Sequence, residues 1–175
     1  MNICIFGAAS ERIPTEIKQE AEKICEQLGN AGHNLVFGAG ATGVMGACAR
    51  GFAKTPAKIY GYIPEHIKNQ NIEPVFEGCN QLYITKTLNE RKELMEQNSQ
   101  AYIIMPGGVG TMDELFEVLT LKGLGVENKP IILYNFQGYY NNIITFLENC
   151  VANICVKDAY YIVDNYEDLV EALSE

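Results

Sequence analysis

The chain has 175 residues, 47% of them hydrophobic and 20% charged, so one domain with a self-sufficient core is expected. A net charge of -9 and an isoelectric point near 4.8 argue against nucleic acid or an anionic membrane as a partner. Any anionic small molecule must therefore find its positive potential locally, at arginines and helix starts.

In chain order, short runs rich in Ile, Val, Tyr and Phe alternate with longer stretches of helical periodicity. The start, MNICIFGAAS, lacks the basic region and long apolar run of a signal peptide, and no later run approaches membrane-spanning length. A cytoplasmic location is the expectation. NICIF at 2–6 is predicted as a strand and opens into FGAASER, where Gly7 and small residues to Ser10 form a loop. A helix follows over 15–31, with Ile17, Ala21, Ile24 and Leu28 at helical spacing and NAGHN as the stop. The strand NLVF at 34–37 runs into FGAGATGVMG and a helix over 43–54. KIYGYI at 58–63 is the third strand. The segment 64–80 has the weakest periodicity and is expected to be a long loop with a short helix. Strands at 81–84, 101–105, 130–134 and 160–163 then alternate with helices at 88–99, 112–124, 138–152 and 166–173. Continuous apolar strands between helices imply a mostly parallel sheet covered on both faces, a single doubly wound α/β domain over 1–175.

The six cysteines, Cys4, Cys25, Cys48, Cys79, Cys150 and Cys155, form no CxxC pair, and the two histidines are far apart. Reduced, mostly buried thiols are expected, with no metal site.

Three glycine-containing loops follow predicted strands: FGAASER, FGAGATGVMG and PGGVGT. Small residues there leave backbone N–H groups uncovered, and a helix start adds positive potential, so together the loops suit an anion. Ligands of open α/β sheets bind beyond the carboxyl ends of the strands, where these loops lie. Gly38-x-Gly40-x-x-Gly43 formally matches the dinucleotide fingerprint, with Glu65 about twenty residues on, so an NAD-binding protein is a rival reading. That fingerprint usually follows the first strand of its unit, and this one follows a later strand. PGGVGT is similar to a triphosphate cradle but lacks the lysine that would reach a β-phosphate, so a monophosphate is the better fit.

Two capping boxes stand near these loops. Thr111-x-x-Glu114 reads as a helix start, in which Glu114 would merely reach back to the cap. The competing reading places Glu114 beside the anion loop as a carboxylate facing developing positive charge. Cleavage of a glycosidic bond makes a ribosyl cation, which a nearby carboxylate stabilises or supplies with water. Glu117 and Leu121 continue the same stripe. Thr87-x-x-Glu90 starts the helix before the strand that feeds PGGVGT, and Arg91 shares a face with Leu88, Leu94 and Met95. Arg91 is either a structural ion pair or a ligand group, and Lys92, one step round, reads as solvated.

Taken together, these residues resemble the LOG ("lonely guy") family of cytokinin riboside 5'-monophosphate phosphoribohydrolases, whose members are often labelled lysine decarboxylases. The pattern PGGxGTxxE is matched by Pro106, Gly107, Gly108, Gly110, Thr111 and Glu114, the arginine-lysine element by Arg91 and Lys92, and the glycine loop by GAGATGVMG, with Gly40, Gly43 and Met45. LGVENKPIILYNFQGYYNNIITFLE also reads like the family. The resemblance implies a Rossmann-like fold, usually a homodimer, that cleaves a nucleoside 5'-monophosphate into free base and ribose 5-phosphate without metal or organic cofactor. It implies Arg91 and Glu114 as the catalytic pair. Gly107, Gly108, Gly110 and Thr111 would form the phosphate loop, and Gly7, Ser10, Gly40, Gly43, Met45, Lys92, Pro106 and Glu117 are further binding positions. The sequence departs from the family at Leu88 and Asn89, where Met-His is common, at Gly7-Ala8-Ala9-Ser10, at Ala39 in place of a middle glycine, and at Leu121 in place of tryptophan. These changes bear on the base pocket more than on the chemistry and count against a preference for a plant-type cytokinin, so the substrate expected is a cytokinin-type nucleotide or another purine monophosphate such as AMP. Pyridoxal chemistry would need a Schiff-base lysine in a pocket, and no lysine stands in such a motif. A non-catalytic nucleotide-binding or molybdopterin-type carrier on the same fold is the alternative. It would keep the glycine loops and could dispense with the Arg91–Glu114 pair.

Overall fold

The periodic stretches become helices because their apolar residues fall on one face. In α1 (Thr15–Asn30) the buried positions are Ile17, Ala21, Ile24, Cys25 and Leu28, spaced at three and four. The computed structural model describes residues 1–70, 72–151 and 159–174. Among the described residues seven strands, β1 (Asn2–Phe6), β2 (Asn34–Phe37), β3 (Ile59–Pro64), β4 (Gln81–Thr85), β5 (Ala101–Ile104), β6 (Ile131–Tyr134) and β7 (Tyr161–Val163), alternate with helices. After α1 these helices are α2 (Gly43–Ala53), α3 (Glu65–Asn69), α4 (Leu88–Gln97), α5 (Val109–Gly123), α6 (Asn141–Val151) and α7 (Tyr166–Ser174). A 3-10 turn, Phe136–Gly138, precedes α6.

All strand pairs are parallel, in the order β4-β3-β2-β1-β5-β6-β7. The chain winds outward from β1 to β4, then returns to place β5 on the other side of β1. The order therefore reverses between β1 and β5, which is where open α/β sheets form their ligand crevice. One layer packs α1, α2 and α7 on the sheet through residues such as Ile24, Phe52 and Leu169. The other packs α4, α5 and α6 through Met95, Leu115, Val118 and Leu147. Burying each such side chain stabilises the fold by about 1.5–3 kcal/mol. This is the doubly wound, Rossmann-like architecture expected, with every strand pairing parallel.

Boundaries differ where the backbone is special. β6 starts at Ile131 because Pro130 has no N–H, although its carbonyl accepts from the Tyr102 N–H. The helix expected from 138 starts at Asn141, since Gln137 and Gly138 have φ of 54° and 72°, outside any right-handed helix. Its expected last residue, 152, lies outside the described residues. α5 starts at Val109, not 112, so half of PGGVGT is already helical. Glycine and threonine are poor helix formers, which is why the sequence suggested a later start.

The 64–80 segment holds the short helix α3 and then a strap. The Ala41 N–H donates to the Pro74 carbonyl, and the Phe76 N–H to the Ala39 carbonyl, both at 2.8 Å. Gly40 and Val75 form an isolated antiparallel bridge between them, and Phe76 packs edge-on against Phe37. The five described cysteines are free thiols, with Cys4, Cys25 and Cys48 buried, and Cys155 lies outside the described residues. No described helix is long and apolar enough to cross a membrane.

Candidate active site

The crevice is built on the carboxyl ends of β1, β2 and β5. After β5 the turn Pro106-Gly107-Gly108 is tied down from several sides. The Ala8 N–H donates to the Pro106 carbonyl at 3.2 Å. The Tyr140 hydroxyl donates to the Met105 carbonyl at 2.6 Å, and the Tyr139 hydroxyl to that of Gly107 at 3.2 Å. A Cβ on Gly107 would lie 2.1 Å from the Thr111 Oγ1, so Thr111 is packed directly over that backbone.

Gly108 caps α5 without any side-chain bond to the helix, leaving the first backbone N–H groups of α5 without a side-chain acceptor. Gly108 and Gly110 differ from Gly107: among the described residues, and apart from its chain neighbours and its own helix backbone, a Cβ on either would meet nothing within 4 Å. Neither has a positive φ. Packing does not demand glycine there, whereas a ligand drawn close to the backbone would. The start of α2 is closed by contrast. The Gly43 N–H donates to the Glu11 carboxylate at 3.0 Å, and the Met45 N–H to the Ala8 carbonyl at 3.0 Å. Lys18 first, and then that Gly43 N–H, hold the Glu11 carboxyl below its ordinary range. Of the two glycine-rich helix starts, α5 is therefore the one open to an anion.

Thr111, inside α5, does not cap it, and Glu114 does not reach back. The capping-box reading fails because the helix begins a half-turn or more earlier. Glu114 instead accepts a hydrogen bond from Arg91 Nη2 at 3.1 Å, with both side chains nearly buried. Arg91 is aimed by the start of α4, where the Thr87 hydroxyl accepts from the Glu90 N–H and the Glu90 carboxylate from the Lys86 N–H. Its Nε is buried with no partner among the described residues. Burial pushes the Glu114 carboxyl up to about 7; Arg91 opposes this, while the Asp113 and Glu117 charges add to it.

A cavity of about 260 Å³ opens beside this pair. Of the expected site residues, Gly7, Ser10, Met45, Arg91, Gly108, Gly110, Thr111 and Glu114 line it. Pro106 and Gly107 lie in the turn behind it, while Gly40 donates its N–H to the Met45 sulfur. Gly43, at φ 61°, sits under the first loop, where a Cβ would be 2.4 Å from the Ala8 carbonyl oxygen. Lys92 and Glu117 are not on this wall. They pair with each other at 2.5 Å and line a neighbouring depression with Phe116 and Leu121. Lys92 is not solvated as expected: it is 11% exposed and also holds Asp113 at 2.9 Å. Sequence reasoning missed Glu73, which lines the cavity from the strap, and the supporting Tyr139 and Tyr140. The Tyr-Tyr pair beyond a strand beside β5 was a usable signal, whereas an acidic residue in an aperiodic loop was not.

Residues 45–173 match the family described as "Possible lysine decarboxylase". The probable cytokinin riboside 5'-monophosphate phosphoribohydrolase of Oryza sativa subsp. japonica is 32% identical over 148 residues, 85% of this chain and 69% of that protein. The cytokinin riboside 5'-monophosphate phosphoribohydrolase of Rhodococcoides fascians is 32% identical over 148 residues, 85% of this chain and 74% of that one. Among solved structures, the molybdenum cofactor binding protein of Rippkaea orientalis has a TM-score of 0.74 at 21% identity, over 99% of this chain and 94% of its own. The molybdenum cofactor carrier protein of Chlamydomonas reinhardtii has a TM-score of 0.73 at 17% identity, over 99% and 98%. At these identities the structural likeness is one of fold.

Proposed function

The chain belongs to the LOG family, described as possible lysine decarboxylases, and from that premise we propose that it hydrolyses the N-glycosidic bond of a purine or cytokinin nucleoside 5'-monophosphate. The observation that carries this reading is the buried Arg91–Glu114 pair at 3.1 Å, on the wall of a cavity shared with the uncapped start of α5. The backbone N–H groups at that start and the Thr111 hydroxyl receive the phosphate. The open space over Gly108 and Gly110 lets it approach. Glu114, one turn further along the helix, faces the ribose, where its carboxylate stabilises the cation that forms as the C1'–N bond breaks, or positions the water that attacks it. The water's hydroxyl ends on C1' and its proton on the departing base. Arg91 holds the carboxylate and supports the base as it leaves.

Decarboxylation of an amino acid through pyridoxal phosphate does not fit the residues present. No lysine lines the cavity among the described residues, and the nearest in sequence, Lys92, is bound between Asp113 and Glu117. A carrier would need the anion cradle but not a buried arginine–carboxylate pair. Incubating the purified protein with AMP, GMP, CMP and isopentenyladenosine monophosphate, with chromatography of the free base, tests the hydrolase. Base is expected from the wild type, and Glu114→Gln and Arg91→Ala should lose about a hundred-fold or more in kcat while keeping the fold. Unimpaired turnover in either variant would remove that residue from the mechanism. A homodimer is the assembly we favour, formed through exposed apolar side chains on α5 (Phe116), at its C-terminal cap (Leu124) and on α6 (Phe146).

A further inference from the structure

We propose that Glu73 is the specificity-determining residue for the base, accepting a hydrogen bond from the exocyclic amine of a 6-aminopurine. The proposal rests on the nucleotide reading of the cavity and deepens it. Glu73 lines the same cavity as Glu114, is half-buried, and makes no hydrogen bond or ion pair among the described residues. An unpartnered carboxylate in a site for a phosphate ester is repelled by that ester, so its place in the wall makes sense only against a part of the ligand that donates. A nucleoside monophosphate offers two kinds of donor, ribose hydroxyls and a base amine.

Position selects between them. From the anion end at α5, the wall runs through Glu114 to Arg91, whose Nη1 lies 3.2 Å from the point a Cβ on Gly38 would occupy. The Met45 sulfur lies 3.4 Å from that point and 2.7 Å from the corresponding point on Gly40. The Glu73 Oε2 comes next, 3.7 Å from the Gly40 point. Phosphate, ribose and base meet these groups in that order, so Glu73 stands at the base end, beyond the pair that serves the ribose. The strap holds it there: the two backbone bonds at Pro74 and Phe76 and the Gly40–Val75 bridge follow it directly in the chain. A carboxylate accepts and cannot donate, which suits an amine.

The test compares AMP with purine riboside 5'-monophosphate, which has the same ring without the amine, and with 2'-deoxy-AMP. Affinity is read by calorimetry and kcat/KM by base release, for the wild type, Glu73→Ala and Glu73→Gln. The wild type should favour AMP over the amine-free nucleotide by about ten-fold or more in affinity. Glu73→Ala should abolish that preference, and Glu73→Gln, which keeps a neutral acceptor, should restore part of it. AMP and 2'-deoxy-AMP should lose equally. Equal losses for AMP and the amine-free nucleotide would overturn the proposal, leaving Glu73 a mere part of the strap. An effect that disappears with 2'-deoxy-AMP would assign the carboxylate to the ribose and also overturn it. Binding that discriminates the amine without any base release would uphold Glu73 and sink the hydrolase instead. No AMP binding to the wild type would end both.

Discussion

Glu114 is a carboxyl group whose ordinary charge is suppressed by its surroundings, and the proposed chemistry needs that charge. Burial holds its pKa at about 7, against a bonded arginine, because the cost of an ion in a nearly dry site exceeds what one neighbouring guanidinium returns. The raised value means the carboxyl is protonated, and inactive, below about pH 7 and charged above it. The expected outcome is a kcat/KM that climbs with pH through about 7 and levels off above, falling towards ten-fold per pH unit on the acid side. The substrate phosphate itself titrates near pH 6, so an inflection near 6 would report the substrate and not Glu114. A profile flat from pH 5.5 to 8 would dismiss Glu114 as an essential carboxylate. Arg91 and Glu114 were legible as residues in the sequence, but not their contact, because they lie 23 positions apart and meet only after β5 is threaded beside β1. Ala39 is a second such case. Its φ of 63° lies in the left-handed region that favours glycine, so alanine there has a backbone cost of about 1–2 kcal/mol, which the sequence alone does not reveal.

At the scale of elements, the early start of α5 converts a glycine turn into the first turn of a helix and leaves its N–H groups facing the cavity. Two glycines of that stretch then answer to different demands. Gly107 is required by the protein itself, since any Cβ collides with Thr111. Gly110 is inside the helix with open space beyond it, so alanine there should raise helix stability by up to about 1 kcal/mol while obstructing a ligand. Thermal unfolding and nucleotide calorimetry on Gly110→Ala and Gly107→Ala check this. Gly110→Ala should keep or raise Tm and lose affinity ten-fold or more, and Gly107→Ala should lower Tm. A Gly110→Ala protein that binds as well as the wild type would mean nothing approaches that backbone. The strands were readable because those of a sheet covered on both faces are continuous apolar runs, and the helices because their stripes recur at three and four. The strap over 73–76 was not, since its order comes from backbone bonds to loop 39–41, which leave no period in the sequence.

For the whole molecule, the order β4-β3-β2-β1-β5-β6-β7 puts the β1 and β5 loops side by side and leaves α5 and α6 together on one outer layer. The inner sides of these helices are spent on the sheet, and their outer sides are unusually apolar for an exposed surface. Phe146 is 52% exposed and meets the ring of Phe116 edge-on at 6.1 Å, while Leu124, at the end of α5, is 73% exposed. A chain with a net charge of -9 repels its own copies, so self-association needs a surface where apolar burial outweighs that repulsion. This layer supplies the aromatic anchors such a surface uses. Light scattering after size exclusion should give twice the 19.4 kDa chain mass for the wild type, holding at low salt where the charge is least screened. Phe146→Glu adds a charge to the middle of the patch without touching the buried core, and should shift the mass to that of one chain with the circular dichroism unchanged. A wild type that runs as a single chain at micromolar concentration would rule the dimer out. A dimer indifferent to Phe146→Glu would move the contact away from α5 and α6.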